Sequence, residues 1–315
     1  MKNPKFSVVS DGACDLPEAI ISEKEIGLVH FYVTFDQKEY RKEGVEVNLD
    51  VFYQRMVDEP KVYPGTAAPS PEDFYQVFAD RAKRGLDIVC VCISSKLSSS
   101  AQSARIARDM LLESNPELHV YILDSLSCSL GEGAFLLEVC RLRDMGLAAE
   151  QAAAAMEKLR STGRILFSVD NLNYIQHGGR IGKMTSIAGT LLDVKPLITM
   201  QDGEIHSSGI KRGRRRSLDG LIGLLLAYLH DFGCGPDGCT ILIGYGYDRE
   251  EAERFGQLVS RRLTEAFGPS ADFPICRIGA TVGVHAGPSS IGLGIIRRAD
   301  HFPGLLPFEK GGENA

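Results

Sequence analysis

The sequence lacks the signatures by which most enzyme classes are recognised. Its 315 residues contain no G-x-S-x-G elbow, no Walker A loop and no G-x-G-x-x-G fingerprint at a strand-to-helix turn, which removes the usual serine-hydrolase, P-loop and dinucleotide-binding readings. There is no CxxC and no HExxH, and the eight cysteines do not pattern as a zinc site. Cys90 and Cys92 alternate inside an apolar run, while Cys234 and Cys239 stand apart from any histidine pair. That scatter fits reduced core thiols in a cytosolic protein. Met1-Lys2-Asn3-Pro4-Lys5 leads into a short strand rather than a signal-peptide core. The longest apolar run near a helix, residues 221–229, is too short to span a bilayer. Internal repeats and low-complexity segments are also missing. A net charge of −6 and a pI near 5.7 argue against bulk nucleic-acid binding.

What is present is a soluble globular composition, 44% hydrophobic and 24% charged, at a length suited to two domains. The chain is organised around residues 88–104. Six apolar residues, 88–93, read as a strand buried on both faces of a parallel sheet. Five serines follow between Ser94 and Ser100, and a helix is expected from 101 to 112. Ser99 and Gln102 have capping-box spacing. A strand that ends in hydroxyls at a helix N-terminus offers an anion free N–H groups and a favourable dipole; equally, the serines could serve only to cap the helix.

Strands are expected at 6–10, 28–33, 88–93 and 119–123, with helices near Pro17 and at 51–57, 71–84, 101–112, 131–145 and 149–159. Asp50 and Ser70 are the expected N-caps of the second and third of these helices, with Pro71 as a first helical residue. This alternation predicts an α/β fold, a doubly wound, mostly parallel, Rossmann-like sheet over residues 1–162. Ligands of such sheets sit beyond the carboxyl ends of the strands, where Asp11, residues 94–98 and Asp124-Ser125 would lie. From about Thr162 the texture changes. Strands at 165–169, 194–200 and 204–210, the last two joined by Asp202-Gly203, together with helices at 171–176, 217–230 and 249–267 and strands at 240–245 and 275–278, predict an α+β second domain over residues 163–315.

Three clusters carry candidate chemistry. Residues 178–184 resemble a phosphate loop only loosely, since Met184 stands where Ser or Thr would bind magnesium; they read as a turn exposing Arg180 and Lys183. His285 ends a predicted strand before Gly287-Pro288, either as a hydrogen-bonded loop histidine or as a donor to an anion. Five of the six residues 211–216 are basic, either a solvated face or a docking patch for an acidic partner or phosphate group.

Several stretches taken together carry a resemblance. They are Ser10-Asp11 with Asp15-Leu16-Pro17; Thr66 with Pro69-Ser70-Pro71-Glu72-Asp73-Phe74; Ile93-Ser94-Ser95, Leu97-Ser98 and Gln102-Ser103-Ala104; Asp124-Ser125; Gly178-Gly179-Arg180-Ile181; Lys195-Pro196-Leu197; Asp202-Gly203; and Gly283, His285 and Gly287-Pro288. In this order and combination the chain resembles the DegV family of bacterial fatty-acid-binding proteins. The resemblance implies two domains with a long-chain fatty acid between them and no other cofactor or metal. It implies a carboxylate held by Thr66 and Ser98, with the family's histidine falling on His285. It also implies that the acid is handed to a separate fatty acid kinase subunit, so that catalysis is the partner's. Arg212 and Arg214 match the family's paired arginines, and with Arg180 they are the residues expected to meet a partner or a phosphate. Cytoplasmic location, transient contact with a membrane surface and no nucleic-acid partner complete the expectation.

The sequence departs from the family pattern in places. Gly12-Ala13-Cys14 replaces a hydroxyl-rich triplet, Lys96 and Ser99 stand where glycine is usual, and Gly213 separates the two arginines. Lys96 would either add a cation near the carboxylate or point outward. An alternative is a stand-alone small-molecule kinase or hydrolase that uses Ser98 and His285.

Overall fold

The structure is a computed structural model that describes residues 4–181, 194–269 and 272–305. In chain order the elements are β1 (Ser7–Asp11), α1 (Glu18–Glu23), β2 (Gly27–Val29), β3 (Tyr32–Thr34), β4 (Arg41–Lys42), α2 (Leu49–Asp58), β5 (Gly65–Ala67), α3 (Pro71–Ala82), β6 (Ile88–Cys92), α4 (Ser100–Ser114), β7 (Val120–Asp124), α5 (Ser129–Asp144) and α6 (Ala149–Leu159). They continue as β8 (Arg164–Ser168), α7 (Asn173–His177), β9 (Val194–Gln201), β10 (Glu204–Arg212), α8 (Arg214–Asp231), β11 (Cys239–Tyr245), α9 (Arg249–Phe267), β12 (Ile275–Arg277), α10 (Ala280–Ala286) and β13 (Ile291–Arg297).

The first sheet has the order β2-β1-β6-β7 and is parallel throughout. Every residue of β1 and β6 is buried, and alternation decides where each goes. Val9, Ile88, Cys90 and Cys92 pack with Phe74, Phe78 and Ala104 of α3 and α4. Val8, Val89 and Val91 pack with Phe135, Val139 and Met156 of α5 and α6. The chain leaves β1 toward β2 on one side and β6 toward β7 on the other. The crevice between the carboxyl ends of β1 and β6 is therefore the switch point at which open α/β sheets place ligands.

A second sheet has the order β10-β9-β8-β13-β11-β12, antiparallel except for the β11–β12 pair. Helices α8 and α9 cover one face through Leu221, Leu225, Phe255 and Val259. Helix α5 covers the other: Leu130 lies so close to β11 and β13 that a Cβ on Gly244 or Gly294 would stand 2.5 or 2.4 Å from it. The β9–β10 hairpin turns through Asp202 and Gly203, both at positive φ, as a two-residue hairpin turn of the primed type requires.

Three expectations about these elements need correction. Residues 28–33 do not form one strand: β2 ends at Val29, and Tyr32 opens β3 in a separate antiparallel sheet of order β4-β3-β5. The run 28–33 is apolar except for His30, which falls at the change of sheet. Helix α2 is capped by Asn48, whose side chain accepts from the N–H groups of Asp50 and Val51, and not by Asp50. His285 lies on α10, not on a strand. The strand of that region, β13, comes later, sits inside the second sheet and had not been expected. The run Gly233-Cys234-Gly235-Pro236-Asp237-Gly238 spells a G-x-G-x-x-G pattern, but it joins α8 to β11, the reverse of the strand-to-helix setting that binds a dinucleotide.

Candidate functional site

The serine loop leaves β6 at the switch point and is tied down by Asp11. One carboxylate oxygen of Asp11, Oδ2, accepts from the Ile93 N–H at 3.0 Å and from Ser100 Oγ at 2.5 Å; Oδ1 accepts from the Ala13 N–H at 3.2 Å. The Ser100 N–H donates to Ser98 Oγ at 3.2 Å. With that lone pair engaged, the hydroxyl proton of Ser98 remains to be given elsewhere. The expected Ser99–Gln102 capping box is not formed, because Ser99 makes no side-chain cap bond.

Thr66 reaches the same place from the small sheet, where it pairs with Val33. Its Oγ1 lies 3.4 Å from His285 Nε2. The histidine rests against the turn after α7: a Cβ on Gly178 would stand 2.1 Å from His285 Nδ1. That nitrogen is buried with no hydrogen-bond partner among the described residues. Burial, and secondarily the charge of Arg180, lower the His285 pKa to about 4, so the ring is neutral at physiological pH and Nε2 is the nitrogen that can share a proton with a hydroxyl or an anion.

Thr66, Ser98, Ser99 and His285 all line one cavity of about 220 Å³. The rest of its wall is mainly apolar, including Phe31, Ile93, Leu97, Ile165, Phe167 and Met200, drawn from both large sheets and the segments beside them. Ser129 and Thr281 line it as well. Phe31, Ser129 and Thr281 were not singled out in the sequence. Ser129 had a readable signal, a hydroxyl shortly after a strand end and at the start of a helix; Thr281 had none.

The structure places the remaining candidates apart from one another. Arg180 is exposed and lines the cavity, with Nη1 donating to Gly178 O at 2.7 Å. Arg212 ends β10 and is exposed. Arg214 is held in place: Nε and Nη2 donate to Glu251 at 2.8 and 2.7 Å, and Nη2 also donates to Ser289 O at 2.8 Å. Lys96 turns toward the hairpin tip, where Nζ donates to Asp202 O at 2.9 Å and lies 3.8 Å from Glu204. Gly182, Lys183 and Met184 lie outside the described residues. A hydrolase built on Ser98 and His285 would need those two paired and an acid on the second nitrogen; His285 faces Thr66 instead, and its Nδ1 has no partner among the described residues.

A family model described as "Uncharacterised protein, DegV family" matches residues 5–298. The chain belongs to the DegV family. A DegV domain-containing protein of Clostridium acetobutylicum is 30% identical over 286 residues, covering 91% of this chain and 95% of its own. Among solved structures, a stearic-acid-binding protein from Eubacterium ventriosum superposes with a TM-score of 0.88 at 34% identity, covering 94% of this chain and 100% of its own. A DegV protein from Thermus thermophilus, described by its fatty acid binding, superposes with a TM-score of 0.81 at 26% identity, covering 93% of this chain and 99% of its own. The α/β architecture, with its parallel first sheet and second sheet domain, is that of DegV structures.

Proposed function

We propose that this DegV protein binds one long-chain fatty acid between its two large sheets and presents it to a separate fatty acid kinase subunit. The carboxylate is held by Thr66 Oγ1, Ser98 Oγ and His285 Nε2, and the acyl chain follows the apolar wall. One observation carries the reading: three polar side chains from distant parts of the sequence line a single cavity whose wall is otherwise mostly apolar. A carboxylate needs a few directed donors, which hydroxyls and a neutral imidazole supply. Each buried CH₂ of the tail contributes about 0.8 kcal/mol, so the tail dominates affinity and the polar group sets orientation. The stearic-acid-binding relative supports the ligand class.

In this reading the chain divides near residue 162 into two domains, with the ligand in the cleft. Arg180 at the cavity and Arg212 on the surface meet the partner or the phosphoryl group, while Arg214 is held by Glu251 and Ser289 O. The protein acts in the cytoplasm, with transient contact at a membrane surface; no described helix is long and apolar enough to cross a membrane. Organic extraction of the purified protein followed by lipid analysis tests the proposal. Recovery of a long-chain acid is expected. No acyl species, together with no binding of added stearate, overturns it.

A further inference from the structure

Helix α10 carries His285 but has only seven residues, too few to hold shape or place unaided. Its first turn is fastened by two acidic side chains from the first 43 residues of the chain. The Gly279 N–H donates to Asp15 Oδ1 at 2.9 Å, and the Thr281 N–H donates to Glu43 Oε2 at 3.1 Å. Thr281 Oγ1 donates to the same Glu43 oxygen, and Ser129 Oγ, at the start of α5, donates to the other oxygen of Asp15. Just upstream, Tyr53 Oη donates to Ile278 O at 2.9 Å.

The two carboxyls converge on one point. A Cβ on Gly279 would stand 2.4 Å from Glu43 Oε1 and 2.7 Å from Asp15 Oδ1. Asp15 is 9% exposed and Glu43 7%. Burial, and then the charge of Glu43, raise the Asp15 pKa well above the ordinary carboxylate range, and burial also raises that of Glu43. Two carboxyls brought together out of water oppose folding. What their arrangement secures is the placement of α10: its N–H groups and dipole meet acceptors. His285 lies six residues beyond Gly279, about 9 Å further along the helix axis.

We infer that Asp15 and Glu43 are positioning residues that fix the N-terminus of α10 and thereby set His285 against Thr66. The same bonds engage the hydroxyl protons of Ser129 and Thr281, so that among these cavity-lining hydroxyls Ser98 keeps a proton for the ligand. The inference rests on the fatty-acid reading of the cavity and explains how its head-group geometry is held.

The test uses the full chain and three readouts: the side-chain ¹⁵N resonances of His285 and amide hydrogen exchange over residues 280–286, both without ligand, and stearate affinity by calorimetry. Glu43→Ala should move the His285 resonances, speed exchange in α10 roughly tenfold and weaken stearate binding roughly tenfold, the scale of one lost charged hydrogen bond. Glu43→Gln keeps an acceptor oxygen in place and should stay near wild type in all three. Asp15→Asn, which cannot accept both bonds, should shift the same readouts by less, and it serves as the test if Glu43→Ala does not fold. Unchanged His285 resonances and α10 exchange in either Glu43→Ala or Asp15→Asn would overturn the inference. A wild-type protein that binds no stearate while the variants still move these signals would overturn the ligand reading and leave the positioning role standing.

Discussion

Thr66 Oγ1 and His285 Nε2 meet at 3.4 Å across 219 positions of sequence. One comes from the middle strand position of a three-residue edge strand, the other from the last turn of a seven-residue helix. Neither element is stable alone, so the pair records how the whole chain closes.

Removing a head-group hydroxyl should cost affinity without loss of fold. Thr66→Val or Ser98→Ala should each weaken stearate binding by about one to two orders of magnitude, from hydrogen bonds to a charged group of roughly 1.5–3 kcal/mol. Calorimetric titration checks this; binding unchanged in both variants would place the carboxylate elsewhere.

His285 should leave a mark on stability against pH. Its folded pKa, about 4, lies below the ordinary 6.5, so the unfolded chain binds the proton first as pH falls. The histidine's contribution is thus fully present above pH 6.5 and is lost between 6.5 and about 4. A shift of this size corresponds to something on the order of 3 kcal/mol. Denaturant unfolding at several pH values should show a shallower acid slope for His285→Gln than for wild type.

Gly178 should be intolerant of a side chain because of its neighbour rather than its backbone. The added methyl of Gly178→Ala would meet His285 Nδ1 at 2.1 Å, so the ring must move. The variant should lose about as much stearate affinity as His285→Ala, roughly tenfold, and a crystal structure should show the imidazole displaced from Thr66.

The basic run should divide into two behaviours. Arg214→Ala leaves Glu251 and Ser289 O without their partner and should lower unfolding free energy by about 1–2 kcal/mol. Arg212→Ala, at an exposed strand end, should leave stability unchanged and reduce phosphorylation by a kinase partner. Equal stability loss in both would contradict this division.

Much of the first sheet was legible because both of its signals are local. A continuous apolar run marks β6, the Val8-Val9 pair beside Phe6 marks β1, and the helices between strands show through their caps, as with Ser70, Pro71 and Asp73. The Asp202-Gly203 hairpin was legible for the same reason. Sheet membership was not: His30 interrupts residues 28–33, but nothing local says that the strands on either side of it belong to different sheets. β13 was missed because Gly292 and Gly294 interrupt its apolar pattern, and those glycines answer to Phe167 and Leu130 packed on them, a tertiary fact. Of the site, the serine loop carrying Ser98 and His285 were marked by the residues themselves and Thr66 by resemblance, while the closing of all three on one cavity needed the fold. Asp15 entered only among the stretches that carry the resemblance and Glu43 not at all; their burial against α10 depends on contacts more than two hundred positions away.

Thirteen of the sixteen residues of α5 are buried, and the helix packs against both large sheets at once. It acts as a rivet rather than a hinge pin. Swinging the sheets apart to admit a ligand would strip Leu130, Phe135 and Val139 from their neighbours, a disruption comparable to core loss. Exchange of a bound molecule must therefore proceed by local displacement of the cavity wall while the rivet stays set. Its rate should follow the mobility of the rim and be nearly independent of mutations that soften the junction between the sheets.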